Sequence, residues 1–423
     1  MFLVSLFVPA TYILIEFSKR KKMTPLIIFS SLWFLIVLMS VLGLFDLDKT
    51  SNQAYAVISM GIFAYGLGEL ISSKLTFKSK KGRSEYVLRD KVIYLLCAIT
   101  ILLYFMDLYK VISYIIGGQS LAYIRLISQD KTSVLYSDRS ALESAIRMFI
   151  IQPFAVAFQV IVAQEFIEGK KRWIVWDIVI ILLKVLSEGS RSLLVYLGVH
   201  LVLIFFFNNK FKTYTQGFSR IRKHKKRIIR IVFLVIAIVL VYTTMARSGE
   251  RALRTTYYYF SMEPRMLDIW LEEIKEYGYG AASINGFVFP FVWFFKNLLK
   301  MSDYPSYWYN NVFLFIDSTD KLWQVISSID QTRANAYVSI FFFPFLDGGY
   351  FGEFIIMFIF GFFARQMYKN AIKDMNPRNV CLYSYTLLAI LFSFVRLQFA
   401  DVSYALGFIF LCFVAFKRRR VHL

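Results

Sequence analysis

Arginine and aromatic residues are concentrated between residues 247 and 347, the longest stretch outside the apolar segments. Arg247, Arg251 and Arg254 recur at helical spacing and would share one helix face, and three consecutive tyrosines follow. Guanidinium forks and aromatic faces together suit a partner that carries phosphate at one end and sugar rings at the other. The pattern therefore predicts a binding site. An interfacial arginine beside an aromatic belt is the alternative.

A second candidate is Arg191, in the polar turn of residues 187–192. The apolar segments on either side, about 173–187 and 192–207, are short for a membrane helix. An arginine between such helices is expensive to bury and needs an anionic partner, and a helix N-terminus with Ser190 and Ser192 favours phosphate. The alternative is that nearby Glu188 neutralises Arg191.

The amino-acid composition indicates whether these residues belong to a soluble protein or to a membrane protein. Hydrophobic residues make up 58% of the 423-residue chain and aromatic residues 18%. Apolar runs of about 20 residues recur, which excludes an ordinary soluble domain. The net charge of +21 resides mostly in short loops between apolar runs, which indicates membrane orientation and not nucleic-acid binding.

The apolar runs predict an all-α polytopic membrane protein with about eleven transmembrane helices. An acid-free basic loop, residues 208–230, and a basic C-terminus place both on the cytoplasmic side. We divide the chain into an N-terminal bundle (1–246), an extracytoplasmic segment with partly immersed elements (247–349) and C-terminal helices (350–423). The predicted spans are approximately 2–17, 24–45, 52–72, 92–116, 142–165, 173–187, 192–207, 231–246, 350–368, 380–395 and 402–416.

Metal chemistry has little support in the sequence. Cys97, Cys381 and Cys412 lie in apolar runs without ligand spacing, and the three histidines are scattered. Asp46 and Asp48 form a D-x-D pattern of the kind that holds a divalent ion in some glycosyltransferases. A single D-x-D at a helix end arises readily by chance, so we expect no metal or other cofactor.

The turn at Gly189–Ser192 resembles the bacterial O-antigen and capsular repeat-unit polymerases, the Wzy-type family. The resemblance continues through residues 247–268 and 277–290, then Asn335 to Tyr337 and Leu346 to Gly352. It covers mainly residues 170–370 and consists of loose patterns. It implies a GT-C-like membrane glycosyltransferase of the bacterial cytoplasmic membrane, working at the outer face without nucleotide sugar or metal.

Such an enzyme would move a growing glycan from an undecaprenyl diphosphate carrier onto the next lipid-linked repeat unit. The resemblance also implies the bilayer, a chain-length regulator and a flippase as partners. The reaction needs a base for the acceptor hydroxyl and cationic donors for the diphosphates. Our candidates are Glu263, Asp268, Glu188 and Asp347 as base; Arg191, Arg247, Arg251, Arg254, Arg265, Arg333 and Arg396 for the diphosphates; and Tyr257, Tyr258 and Tyr259 for sugars.

Three other functions stay open. A flippase of lipid-linked oligosaccharide would show charges along a central path and two related halves. An O-antigen ligase would carry a histidine in the outer segment, where this chain has none. A structural membrane subunit would need no arginine-rich site.

Overall fold

The computed structural model describes residues 1–18, 24–75, 84–119, 123, 127, 139–211, 252–297, 299 and 307–420. Arg247 and Arg251 and the predicted span 231–246 lie outside these residues. The helices are α1 (Phe2–Ser18), α2 (Pro25–Leu42), α3 (Asn52–Lys74), α4 (Asp90–Ile116), α5 (Ala141–Glu168), α6 (Arg172–Glu188), α7 (Ser192–Phe211), α8 (Ala252–Tyr258), α9 (Glu263–Glu272), α10 (Asn285–Asn297), α11 (Tyr307–Lys321), α12 (Ser339–Lys373), α13 (Pro377–Leu391) and α14 (Val402–Val414).

Local sequence explains several helix ends. The Thr24 hydroxyl accepts a hydrogen bond from the Ile27 N–H at 3.3 Å and caps α2, and Ser51 caps α3 in the same way at Ala54. Gly43 and Gly189 end α2 and α6 with φ of 56° and 65°, a left-handed conformation that glycine adopts without a steric cost.

The protein is a multi-pass membrane protein. Six helices of the described ranges are long and apolar enough to cross a membrane: α2, α3, α4, α5, α12 and the Ser192–Asn209 part of α7. The apolar helices α1 and α14 are shorter, and the predicted spans at α6 and α13 measure 17 and 15 residues. The all-α, polytopic class is confirmed, whereas the number of eleven spans stays a prediction.

Two small antiparallel sheets were not predicted. Strand β1 (Ser84–Leu88) pairs with β4 (Phe416–Arg420), and β2 (Gln324–Ser327) forms a hairpin with β3 (Thr332–Ala334). Both lie in stretches for which the sequence predicts loops or helix ends, because no run of alternating residues there is long enough to indicate a strand.

The chain forms two compact units, each assembled from separate parts of the sequence. Unit 1 comprises Met1–Lys81, Ile238–Lys373 and Thr386–Asp401; unit 2 comprises Gly82–Ala237, Asp374–Tyr385 and Val402–Leu423. Our three-part division followed the chemistry of the segments in sequence order, and it stays a prediction.

Unit 1 is built on the contact between α3 and α12. A Cβ atom at Gly68 would lie 2.1 Å from the Phe358 carbonyl oxygen, and one at Gly361 would lie 2.0 Å from that of Tyr65. Helices in membranes commonly approach this closely through small residues. Helix α9 packs on both α3 and α12, so the predicted site segment rests on this pair.

Helix α12 is interrupted within its N-terminal half. Gly348 is extended (φ −178°) and Gly349 is left-handed (φ 57°), so the helix breaks there and then continues to Lys373. The sequence predicts a span at 350–368; the structure joins the mainly apolar residues 339–347 to that span as one interrupted helix.

Unit 2 is centred on α5, which packs against α7 and α14, while α4 packs against α6. Asp107 of α4 accepts hydrogen bonds from Arg139 at 2.5 Å and Arg147 at 2.6 Å, and Glu143 pairs with Arg147 at 2.8 Å. This network offsets the cost of burying charges among these helices.

Candidate functional site

The predicted residues of unit 1 come together where α8 and α9 meet the hairpin β2–β3 and the turn between α2 and α3. Arg254 of α8 donates from Nη2 to the Thr332 hydroxyl at 2.7 Å and from Nε to the Tyr258 hydroxyl at 3.1 Å. It also forms an ion pair with Asp330 of the hairpin. Arg254 therefore attaches the hairpin to α8, and its charge already has a carboxylate partner.

Two of the three tyrosines support the turn after α2. The Tyr257 hydroxyl donates to the Met39 carbonyl and accepts the Leu44 N–H at 2.9 Å; the Tyr258 hydroxyl donates to the Phe45 carbonyl. Both rings are buried. Tyr257 and Tyr258 therefore have a structural role. Of the three candidate sugar-binding rings, Tyr259 is the most accessible, with 38% exposure.

Asp268 and Arg265 form a connected polar group at the start of α3. The Asp268 carboxylate accepts the Ser51 N–H at 3.0 Å, the Ser51 hydroxyl and the Arg265 Nη1 at 3.1 Å. Three donors already occupy this carboxylate, so it is held firmly beside the N-terminal residue of α3.

The D-x-D aspartate nearest the site is also engaged. Asp48 accepts the Ser328 N–H at 2.9 Å and the Ser328 hydroxyl at 2.7 Å, and it lies 3.9 Å from Arg265. In the described part of the chain no three His, Cys, Asp or Glu side chains are grouped to hold a metal ion. Asp48 therefore binds the turn of the hairpin β2–β3.

Glu263, the first residue of α9, differs from every other candidate carboxylate. It is fully buried, and neither oxygen accepts a hydrogen bond from another described residue. Burial raises the pKa of Glu263 well above its usual value, and its own backbone N–H offsets the shift only in part. Such a carboxyl group is a candidate for proton transfer.

Glu263 closely follows in the chain two members of an aromatic cluster, which we define as Tyr259, Phe260, Tyr337 and Phe394. Ring centres are 5.7 Å apart for Tyr259 and Tyr337, 6.1 Å for Tyr337 and Phe394, and 6.0 Å for Phe260 and Phe394. Burial, then Tyr259, then Glu263 raise the pKa of the Tyr337 hydroxyl, so the Glu263 carboxyl group and this hydroxyl influence each other electrostatically. Tyr259 and Phe260 are 38% and 40% exposed, so the cluster has an accessible side.

Asp347 stabilises the break in α12. Its two carboxylate oxygens accept the backbone N–H groups of Ala282 at 2.9 Å and Ser283 at 2.8 Å. The Gly278 N–H donates to the carbonyl of Leu346, the residue before Asp347, at 2.8 Å. Asp347 is buried, and this geometry attaches the 278–283 loop to α12.

The remaining unit 1 arginines differ from each other. Arg396 forms an ion pair with Asp320 of α11. Arg333 of β3 is exposed and has no ion pair with any residue that the structure describes. Of the two, Arg333 is the one with an unmatched charge.

In unit 2, Glu188 and Arg191 flank the turn between α6 and α7. Glu188 pairs with Lys184, one helical turn earlier, at 3.0 Å, so it does not neutralise Arg191 as the alternative interpretation required. Arg191 is half-buried at the first turn of α7, beside the Ser190 and Ser192 hydroxyls, which lie 3.0 Å apart. Its guanidinium has no ion pair among the described residues, so it remains available to an anion.

Sequence reasoning missed the acids that neutralise the arginines, Asp330 and Asp320. The polar turn after β2 was the available signal for the hairpin, but its contacts with Arg254 and Asp48 join residues far apart in the chain. Phe394 was missed as well, because an apolar residue near a helix end gives no sign of a surface cluster.

No protein-family model, curated protein or solved structure matches this chain significantly.

Proposed function

We propose that this chain is a membrane glycosyltransferase that polymerises undecaprenyl-diphosphate-linked oligosaccharide repeat units at the outer face of the bacterial cytoplasmic membrane. The observation that carries the proposal is Glu263, an enclosed carboxyl group without a hydrogen-bond partner in the described residues, close in the chain to a partly exposed aromatic cluster. A sugar acceptor can stack on such rings, and the reaction requires a general base, a role open to a carboxylate, to receive the proton of its hydroxyl.

In this mechanism the acceptor hydroxyl attacks the anomeric carbon of the donor glycan. Glu263 in its ionised form, which a raised pKa makes a stronger base, receives the hydroxyl proton; the new glycosidic bond forms, and the bond to the lipid diphosphate breaks. Arginine donors stabilise the charge that develops on the departing diphosphate. Arg191 and Arg333 are the candidates whose charges are unmatched in the described structure; Arg254, Arg265 and Arg396 have carboxylate partners that a substrate would have to replace.

The experiment is a reconstitution in detergent. Detergent micelles do not separate two compartments, so transport cannot contribute to the result. Purified full-length protein receives lipid-linked repeat units, and the products are separated by gel electrophoresis in the presence of excess chelator. A ladder of glycans supports the polymerase. Intact substrate without a ladder would refute it, and a ladder that appears only with added magnesium or manganese would return Asp46 and Asp48 to the site.

A flippase for the same lipid-linked units is the second candidate, favoured by the interrupted α12. Broken helices form substrate sites in many transporters. In proteoliposomes a flippase would move the substrate between leaflets without lengthening it, so the same detergent assay separates the two functions.

A further inference from the structure

Helices α5 and α6 bring together two polar side chains inside unit 2, Gln159 and Asp177. Both residues are completely buried, and the Gln159 Nε2 donates to the Asp177 Oδ1 at 2.8 Å. Helix α5 is long and apolar enough to cross a membrane, and Gln159 lies about 13 Å along it from its end at Glu168. The pair therefore lies deep in apolar surroundings, where a polar group needs a specific partner.

The hydrogen bonds determine which way the Gln159 amide points. Its nitrogen donates one N–H to Asp177 and the other to the carbonyl oxygen of Ala155, one helical turn earlier, at 3.0 Å. A reversed amide would point its oxygen at these two acceptors, which is unfavourable. Both donors of the amide nitrogen are therefore in use.

Two oxygen atoms of this pair have no donor. The Oδ2 atom of Asp177 and the Oε1 atom of Gln159 are buried, and neither accepts a hydrogen bond from another described residue. Buried acceptors normally have a donor. The two oxygens belong to side chains that are already joined, so a single donor at this place can serve both.

The basic side chains of α5 and α6 do not supply the missing positive charge. Each of them is engaged with an acid other than Asp177, and no ion pair reaches Asp177 from the described part of the chain. The pairs are Arg147 with Asp107 at 2.6 Å, Arg172 with Asp90 at 2.9 Å, and Lys184 with Glu188 at 3.0 Å.

The helices packed against α5 and α6 are α4, α7 and α14. Among them, His200 of α7 is the buried group most able to carry a positive charge, and its Nδ1 lies 2.9 Å from the Ser384 hydroxyl. The other buried titratable side chains of these five helices are Cys97, Tyr104 and Asp107 of α4, Arg147 and Glu165 of α5, Lys184 of α6 and Tyr404 of α14.

A proton satisfies both oxygens at once. When it binds the Asp177 Oδ2, the carboxylate becomes a neutral acid whose O–H donates, and the Gln159 Oε1 is the acceptor in the same pair. Neutralisation also removes the cost of keeping an ionised carboxylate in apolar surroundings with one neutral donor. A hard metal ion would need several oxygen ligands, and the described residues contain no group of three His, Cys, Asp or Glu side chains for one.

We propose that Asp177 and Gln159 form a proton-binding site between α5 and α6. At neutral pH the Asp177 carboxyl group holds a proton on Oδ2, and the acid and the amide exchange two hydrogen bonds across the helix contact. The proposal is independent of the glycosyltransferase activity, because the site uses none of the candidate catalytic residues.

Infrared difference spectroscopy of the full-length protein in detergent tests the protonation directly. A protonated carboxyl group absorbs separately from an ionised carboxylate, and its band shifts in heavy water. The wild-type spectrum minus that of Asp177→Asn should contain a protonated carboxyl band at neutral pH. The matched difference for Glu272→Gln, an exposed acid of α9, should contain only an ionised carboxylate band. An ionised carboxylate band for Asp177 would overturn the proposal.

Asp177→Asn should fold, because an amide has the shape of the protonated acid and offers an N–H to the Gln159 Oε1. Failure of this variant to fold would contradict the proposal, since asparagine is the closest uncharged mimic of protonated aspartate. Gln159→Leu tests the partner. It removes the amide donor and acceptor, so the protonated band should move to higher frequency. An unchanged band would show that Gln159 does not bind the acid, and the site would be wrong.

Sodium is the ligand that competes with a proton for these two oxygens. Unfolding temperatures of the wild type and of Asp177→Asn are compared in sodium chloride and in potassium chloride at neutral pH. We expect the two salts to have the same effect on both proteins. If sodium alone raises the unfolding temperature of the wild type and leaves that of the variant unchanged, the pair binds a sodium ion and the proton proposal is wrong.

Discussion

At the scale of single residues, the candidates separate by whether their polar groups are already satisfied. Asp268, Asp347 and Arg254 each have several strong partners, and a group held in this way is costly to remove. Glu263 and Arg191 have no such partners in the described ranges. An unsatisfied group contributes little to the folded structure, so its effect on activity can be measured without loss of the fold.

Glu263→Gln should lower the rate of polymerisation by about a hundred- to ten-thousandfold, because an amide cannot receive the acceptor proton. The folded state should not lose stability. Glu263 has a raised pKa in the folded protein, so its stabilising contribution is present below the unfolded value of about 4.3 and is lost as pH rises through the folded pKa. Because glutamine does not ionise, the variant should be as stable as the wild type or more stable at neutral and alkaline pH.

The measurement is the glycan assay together with unfolding temperatures from pH 5 to 9. Asp317→Asn serves as the control, since Asp317 pairs with Lys321 on α11 and belongs to no candidate site. Full activity of the Glu263 variant would remove it as the base.

Arg191→Lys should be almost as inactive as Arg191→Ala, because an ammonium group does not reproduce the paired donors of a guanidinium on a diphosphate. Loss of such a contact costs roughly 2–4 kcal/mol of transition-state stabilisation, or about thirty- to a thousandfold in rate. Both variants should keep the wild-type unfolding temperature, since Arg191 has no ion pair in the described structure.

Cells with either Arg191 variant should accumulate single lipid-linked repeat units on the outer leaflet. These units should be accessible to an impermeant glycosidase. Accumulation on the cytoplasmic leaflet would indicate a flippase instead.

At the scale of elements, the loop 278–283 and the break in α12 depend on each other. Asp347 accepts two buried N–H groups of the loop, so Asp347→Ala should destabilise the protein by about 2–5 kcal/mol. Gly278→Ala should act in the same direction, because its Cβ would lie 2.7 Å from the Asp347 Oδ1 atom. Gly348→Ala is the control, since its φ of −178° is ordinary extended backbone and a Cβ there meets nothing within 4 Å.

Unfolding temperatures in detergent provide the measurement. Equal values for the Gly278 and Gly348 variants would contradict the structural role that we assign to Asp347. An inactive Asp347→Ala variant with the wild-type unfolding temperature would make Asp347 a catalytic candidate again.

The elements were predictable where a short-range rule determines them. Apolar length and polar ends located α2, α3, α4 and α5 within a few residues, because the bilayer fixes how long such runs must be. The Lys184–Glu188 pair follows from helical spacing, and the sequence contained that signal. The sequence contained no such signal for the hairpin β2–β3, because the hairpin's partners Asp48 and Arg254 lie far away in the chain.

At the scale of the whole molecule, orientation is the property on which the proposed function depends. The distribution of basic loops predicts that the hairpin β2–β3 lies outside the cell and the β1–β4 strand pair inside it, because basic residues resist translocation. Cysteine at Ile329, which is 75% exposed, should react with an impermeant thiol reagent in intact cells. Cysteine at Arg419 should react only after permeabilisation.

Cys412 is partly accessible and should first be replaced by alanine, whereas Cys97 and Cys381 are buried. Labelling of the Arg419 position alone in intact cells would reverse the orientation. It would move the aromatic cluster to the cytoplasmic side and exclude a reaction at the outer face.

The glycine contacts between α3 and α12 have a mechanical consequence. At Gly68 and Gly361 the two helices touch through backbone atoms, which have no alternative rotamers with which to absorb a displacement. Helices α3 and α12 should therefore move together as one rigid unit. Helix α9 packs on both helices, so in the reaction that we propose Glu263 would keep a fixed position relative to this helix pair, close in the chain to the partly exposed rings of Tyr259 and Phe260.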